Sequence, residues 1–139
     1  MKKVYFACSI RGGREDSAIY RQLVEFINKY GQCLSELFGS EDSPHSDRQV
    51  LPDADIYKRD MGWLEAADGI IAEVSTPSLG VGYELAKAEE RGKPILALYK
   101  STPGKKLSAM VGGSPNLRLA KYQTPADTEK IIAEFIEQL

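Results

Sequence analysis

Glu84 follows a run of small residues, Ser75-Thr76-Pro77-Ser78-Leu79-Gly80-Val81-Gly82, that separates an apolar β-branched segment (69–74) from a helical one. Pro77, Gly80 and Gly82 are expected to stop the strand and let the backbone approach a ligand. Glu84 then falls in the first turns of a helix just outside the carboxyl end of a strand, where open α/β sheets place their ligands. A second grouping, Ser9-Ile10-Arg11-Gly12-Gly13-Arg14, ends the first apolar strand. Its N–H groups, hydroxyl, arginines and helix start would suit one phosphate. It is neither G-x-G-x-x-G nor a Walker loop, and the competing reading is a glycine turn flanked by solvated arginines. Ser78 and the N–H groups around Gly80 could serve the same anion.

Asp60 is the third feature. With Ile56 set at zero and about 100° added per residue, Trp63, Ala67, Leu64, Tyr57 and Met61 share one sector and Asp60 falls in its middle. A carboxylate inside an apolar stripe breaks the pattern and is costly to bury unless it has partners or lines a cavity. Asp60 and Glu84 meeting at one cleft could divide labour, one ionised as nucleophile and one as general acid, as glycosidic-bond cleavage requires. A phosphate subsite beside such a pair points to a sugar phosphate or nucleotide with a labile C1 bond. The plainer alternatives are a surface glutamate helped by the helix dipole and a buried aspartate capping a loop.

These residues need a frame. Residues 4–8 read as a strand, the glycine turn follows, and a helix runs to about residue 29 with Ile19, Leu23, Phe26, Ile27 and Tyr30 as its apolar stripe and Gly31 as its end. Residues 32–37 read as a second strand, and the polar stretch 38–52 as a mobile or substrate-covering loop. Residues 53–67 return to helical periodicity, with Asp53 or Asp55 placed to cap. Strands are expected at 69–74, 94–99 and 117–122, a short helix at 107–113, and a terminal helix at 125–139 with Ile131, Ile132, Phe135 and Ile136 inward. Continuous apolar strands between helices imply a parallel sheet covered on both faces. The expected fold is one doubly wound α/β domain spanning residues 1–139, with five strands in the flavodoxin-like order 2-1-3-4-5.

At 139 residues, 42% hydrophobic and 27% charged, the composition is that of an ordinary soluble domain, and a net charge of −2 argues against a nucleic-acid polymer as partner. The N-terminal apolar run is too short for a signal peptide or membrane span, so a cytoplasmic protein without membrane association is expected. Cys8 and Cys33 lack metal-ligand spacing and read as buried free thiols, and His45 stands alone, so no metal or cofactor is expected.

Taken together, Val4-Tyr5-Phe6 with Ser9-Ile10-Arg11-Gly12-Gly13-Arg14-Glu15-Asp16, Asp60-x-x-Trp63-Leu64-x-x-Ala67-Asp68, Ala72-Glu73-Val74-x-x-Pro77-Ser78-Leu79-Gly80-Val81-Gly82-Tyr83-Glu84-Leu85, Gly92-Lys93-Pro94-Ile95-Leu96 and Leu107-Ser108-Ala109-Met110 closely resemble the 2'-deoxynucleoside 5'-phosphate N-hydrolases of the nucleoside 2-deoxyribosyltransferase superfamily. The resemblance implies that Glu84 attacks the anomeric carbon to form a covalent glycosyl-enzyme, that Asp60 donates a proton to the departing base or orients it, and that Tyr5 sits by the sugar and the nucleophile. It further implies that Ser9, Arg11, Gly12 and Ser78 hold the 5'-phosphate, with Ser108 completing the subsite from the neighbouring subunit of a homodimer; Ile10, Gly13 and Gly80, in the same two loops, are expected to bind substrate with them. Transferase relatives complete the site with a partner-chain asparagine near the C-terminus. The terminal segment here has none, so hydrolysis is expected over base exchange. Tyr5, where other members carry phenylalanine, resembles members that prefer deoxyribose. Cys8 stands where a glycine is expected, and the 38–52 loop offers no match that would set base preference. The rival readings are base exchange and a nucleotide-binding module without catalysis.

Overall fold

The computed structural model describes residues 1–10, 14–35 and 51–139, with the side chains of residues 14 and 15 left aside. Among them, five strands form one parallel sheet: β1 (Lys3–Ala7), β2 (Gln32–Cys33), β3 (Gly69–Glu73), β4 (Ile95–Lys100) and β5 (Arg118–Tyr122), in the order β2-β1-β3-β4-β5. The helices are α1 (Arg14–Tyr30), α2 (Asp53–Ala66), α3 (Leu79–Glu90), the single turn α4 (Ala109–Gly112) and α5 (Glu129–Glu137), the last preceded by a 3₁₀ turn at Pro125–Thr128. The expected layers and strand order are therefore those of the molecule. Strand alternation divides the core in two, because successive side chains point to opposite faces. Val4, Phe6, Ile71, Leu96 and Leu98 pack under α1 and α5. Tyr5, Ile70, Ala72, Ile95 and Ala97 pack under α2 and α3 with Leu64, Val81, Leu85 and Ala88.

Strand order reverses between β1 and β3: β1 leads to β2 on one side and β3 to β4 on the other. The crevice outside the carboxyl ends of these two strands is where this architecture binds ligands. Val4↔Gly69 through Ala7↔Ala72 are in register, so Cys8–Ser9 and Val74–Ser78 emerge side by side at that crevice.

Several local expectations are corrected. β2 has two residues rather than six: Leu34 still donates its N–H to Val4 O at 2.9 Å, but the ladder then passes to a side chain. The fully buried Ser35 hydroxyl accepts from Phe6 N at 2.9 Å and donates to Phe6 O at 2.9 Å. The inward face of α1 carries Tyr20, Leu23, Val24 and Ile27, with Ile19 and Phe26 at its flanks and Tyr30 exposed, because α1 packs against α5 as well as the sheet. Pro52, not Asp53 or Asp55, occupies the N-cap of α2; the two aspartates lie in the first turn, where their charge complements the helix dipole. Tyr57, expected in the apolar sector of α2, is half exposed.

At the far end of α2, Lys93 donates from Nζ to the carbonyls of Glu65 and Ala67 at 2.6 and 2.7 Å, satisfying groups the helix leaves open. Gly92, at φ 65°, supplies the left-handed residue that ends α3. Gly31 tolerates close approach rather than an unusual torsion, since a Cβ there would stand 2.9 Å from the Lys2 carbonyl oxygen. Cys8 and Cys33 are both buried and neither is in a disulfide, Cys8 just beyond its strand. The proposed covering loop at 38–52 lies, up to residue 50, outside the described residues.

Candidate active site

The connection from β3 to α3 is shorter than the sequence suggested. Ser78 is the N-cap of α3, its Oγ accepting from Val81 N at 3.3 Å, which leaves the hydroxyl proton available to a ligand. Gly80 and Gly82 consequently lie inside the helix, not in the loop, and neither has positive φ. Gly80 matters for space: a Cβ placed there would meet Ser78 Oγ at 3.8 Å and Glu84 Oε1 at 3.9 Å. Glu84 Oε1 therefore lies against Gly80, one turn back along α3, and the residue is half-buried. The N–H groups that begin the helix and its dipole favour negative charge in this neighbourhood.

Asp60 is 5% exposed, the deepest carboxylate of α2, and sits between the buried Ile56 and Leu64 as its position on the helix wheel requires. Arg59 donates from Nε to Asp60 Oδ1 at 3.1 Å while its guanidinium lies over the Trp63 ring, 4.7 Å from the centroid. Stacking fixes the arginine and the arginine fixes one carboxylate oxygen. Tyr5 is fully buried in the middle of β1 on the sheet face that carries α2 and α3, the layer that also holds Asp60 and Glu84. The two helices are tied at their outer edge by Tyr57 and Tyr83, whose hydroxyls are 3.0 Å apart and whose rings meet edge to face at 6.0 Å. Tyr57 lies one turn before Asp60 and Tyr83 directly before Glu84, so this contact sets the spacing of the elements that carry the two acids.

Ser9 is buried directly beyond β1, and Ile10 packs against the α1 side of the core. Arg11, Gly12, Gly13 and the side chain of Arg14 fall outside the described residues. On the other flank of α3, away from Glu84, a cavity of about 500 Å³ is walled by Ser75, Ser78, Leu79, Leu107, Ser108 and Val111, among others. Ser78 borders both flanks. Ser108 is exposed and caps α4, accepting from Met110 N at 3.2 Å, and beside it Leu79 and Met110 are 97% and 84% exposed.

The sequence reading passed over Glu73, the last residue of β3. It is 2% exposed and lies on the α1 face of the sheet, where it accepts from Ser75 N at 2.6 Å and from the Tyr122 hydroxyl. Burial pushes its carboxyl above the usual range, and burial likewise raises the Tyr122 phenol, which stays a donor. The signal was available: a carboxylate within a strand covered on both faces violates the apolar pattern just as Asp60 does on its helix.

Comparison with known proteins agrees with this architecture. The model of the family "Nucleoside 2-deoxyribosyltransferase" matches residues 4–117. A Nematostella vectensis protein, provisionally named 2'-deoxynucleoside 5'-phosphate N-hydrolase 1, is 45% identical over 99% of this chain and 96% of its own. The 5-hydroxymethyl-dUMP N-hydrolase of Esox lucius is 42% identical over 98% and 97%. Among solved structures, the CMP N-glycosidase BcmB of Clostridium botulinum superposes with a TM-score of 0.70 across 96% of this chain and 99% of that one, at 17% identity, a likeness of fold. A match of this extent, along a chain with this strand order, makes the protein a member of the nucleoside 2-deoxyribosyltransferase family.

Proposed function

We propose that this chain hydrolyses the N-glycosidic bond of 2'-deoxynucleoside 5'-monophosphates, giving free base and 2-deoxyribose 5-phosphate. The observation that carries the reading is that the Glu84 carboxylate and the cap Ser78 both lie against Gly80 in the first turn of α3, a candidate nucleophile near a helix end suited to an anion, in a chain whose relatives of similar length are named as N-hydrolases of such nucleotides. In this reading Glu84 attacks C1' as the base departs, and the base nitrogen takes up a proton that Asp60 delivers or helps to align. Water then attacks C1' from the face the base has left, breaking the glycosyl–Glu84 ester and returning Glu84 as a carboxylate. The 5'-phosphate, held by Ser9, the residues 10–13 and Ser78 with the α3 N-terminus at Gly80, binds away from C1' and turns binding energy into alignment of the sugar. Tyr5 lines the sugar side.

The same reading makes the molecule a homodimer. Leu79 and Met110, nearly fully exposed beside Ser108, support an interface there, with Ser108 serving the neighbouring copy's phosphate. A nucleotide monophosphate is the partner, and neither a nucleic-acid polymer nor a membrane is required; among the described residues no helix is long and apolar enough to cross one.

The test is product analysis. Incubation with the 2'-deoxynucleoside and ribonucleoside 5'-monophosphates, with and without an acceptor base, should yield free base and sugar phosphate. Glu84→Ala should abolish the release. Full activity of that variant ends the proposal, and a new nucleotide formed from the acceptor replaces hydrolysis with base exchange.

A further inference from the structure

We propose that Glu73 and Tyr122 form a buried positioning pair that holds the β3–α3 turn in the conformation needed to present Ser78 and the first N–H groups of α3 to the substrate phosphate. The inference rests on the functional reading above and adds to it residues outside the cleft, which do not touch substrate.

The turn is short and tied at successive residues. Val74 N donates to Leu98 O at 2.9 Å, the last ladder-like bond. Ser75 N, which the sheet no longer serves, donates to Glu73 Oε1 at 2.6 Å, so the side chain of one residue closes the chain reversal two residues on. Ser75 Oγ accepts from Lys100 N at 2.8 Å, docking the turn on the end of β4. Thr76 Oγ1 donates to Asp16 Oδ2 at 3.4 Å, docking it on the first turn of α1. Ser78 follows directly and caps α3. The bond from Tyr122 fixes the other oxygen of Glu73. Since β4 lies between β3 and β5, that contact reaches across a strand and ties the turn to the far edge of the sheet.

A hydrophobic side chain at the end of β3 would bury comparable area without the cost of desolvating a carboxyl group. What only a carboxyl supplies here is direction: two acceptor oxygens, one facing the turn and one facing β5. Glu73 points to the α1 and α5 face, while Glu84 belongs to the α2 and α3 face. The pair can therefore govern anion binding without acting at the anomeric carbon. Loss of one such bond in a buried network corresponds to roughly a tenfold change in the affinity it supports.

The experiment measures steady-state kinetics on the four standard 2'-deoxynucleoside 5'-monophosphates, and calorimetric affinity for them and for the matching nucleosides, with wild type, Glu73→Gln and Tyr122→Phe. Thermal unfolding by circular dichroism establishes that each variant is folded. We expect KM for the preferred nucleotide to rise about tenfold in both variants with kcat held within about threefold, and nucleoside affinity to stay unchanged. Should Glu73→Gln not fold, Tyr122→Phe, which removes one oxygen atom, decides alone. A folded Tyr122→Phe with KM within twofold of an active wild type overturns the positioning role and leaves the functional reading intact, as does a fall in kcat at constant KM. A wild-type chain that neither cleaves nor binds any of the nucleotides overturns both.

Discussion

Replacing Ser35 with alanine tests how the sheet closes beside the site. Ser35 has no solvent exposure, and its hydroxyl makes two bonds, from Phe6 N and to Phe6 O, both 2.9 Å. These backbone groups face the side on which β2 has already ended, and among the described residues no strand pairs with them there. Alanine removes one oxygen and leaves a donor and an acceptor without partners, at about 1–3 kcal/mol each. Water entering the vacated space can return part of that, and about 3 kcal/mol is the expected net loss. A chain of 139 residues unfolds with an entropy near 0.3 kcal/mol/K, so the midpoint should fall by roughly 10 °C. The assay is reversible thermal unfolding followed by circular dichroism, with urea titration to verify that the m-value is unchanged. A fall of less than about 3 °C would refute the reasoning, because it would mean that the Phe6 groups find other partners at no cost.

Four further outcomes follow from the same geometry. Glu84→Gln should lower kcat for base release by roughly three orders of magnitude or more, as loss of a nucleophile does elsewhere, while nucleotide binding by calorimetry persists; loss of binding with unchanged kcat would contradict its role. Asp60→Asn keeps the shape and an acceptor for Arg59 but loses the acid, so its kcat should fall by roughly 10²–10⁴ if Asp60 transfers the proton and far less if it only orients the base. Lys93→Met uncaps the end of α2 and should cost about 1–2 kcal/mol, read as a midpoint several degrees lower with kcat unchanged. The fourth concerns pH. Glu73 holds its proton more tightly folded than unfolded, because burial raises its pKa. Stability is therefore lost as pH climbs through the ordinary carboxylate range and stops falling above the raised value. Glu73→Gln lacks this effect, so its melting temperature relative to wild type should improve with rising pH across the carboxylate range; a constant or opposite trend would count against the assignment.

The sheet order and the buried Asp60 were legible because both leave a periodic trace: apolar runs separated by helical segments for the one, a carboxylate at an apolar angle for the other. The two-residue β2, the Pro52 cap and the side-chain bridge at Ser35 were not, since a bond between positions 6 and 35 has no signature in local pattern. The displaced stripe of α1 has the same cause, its contact with α5. Gly80 misled for a different reason. Glycine was read as loop material, whereas Ser78 starts the helix earlier and leaves the glycine where Glu84 needs room. The motif resemblance identified the family, while the place of Glu84 against Gly80 in the first turn of α3 required coordinates.

Stability and chemistry are sorted along the strand direction. At the amino ends of the strands Lys3 N donates to Asp68 Oδ2 at 2.8 Å and Gly31 packs on the Lys2 carbonyl, contacts that close the fold. At the carboxyl ends lie Glu73 and the start of the helix that carries Glu84, with Asp60 midway along α2, and each acid is held in a different way: Asp60 by a stacked arginine, Glu73 by a phenol and a backbone N–H, Glu84 against Gly80 in the first turn of α3. In the proposed function an anion with two charges is received in that company. Its binding is feasible because Glu73 is turned to the opposite sheet face and kept from ionising readily by burial, while the dipole and N–H groups of α3 offset the charge of Glu84. Substituting Glu73 with aspartate, which withdraws the carboxyl from Tyr122 by one methylene, should therefore weaken nucleotide binding more than Glu73→Gln does, and the ratio of the two KM values measures how much of the effect is geometry rather than charge.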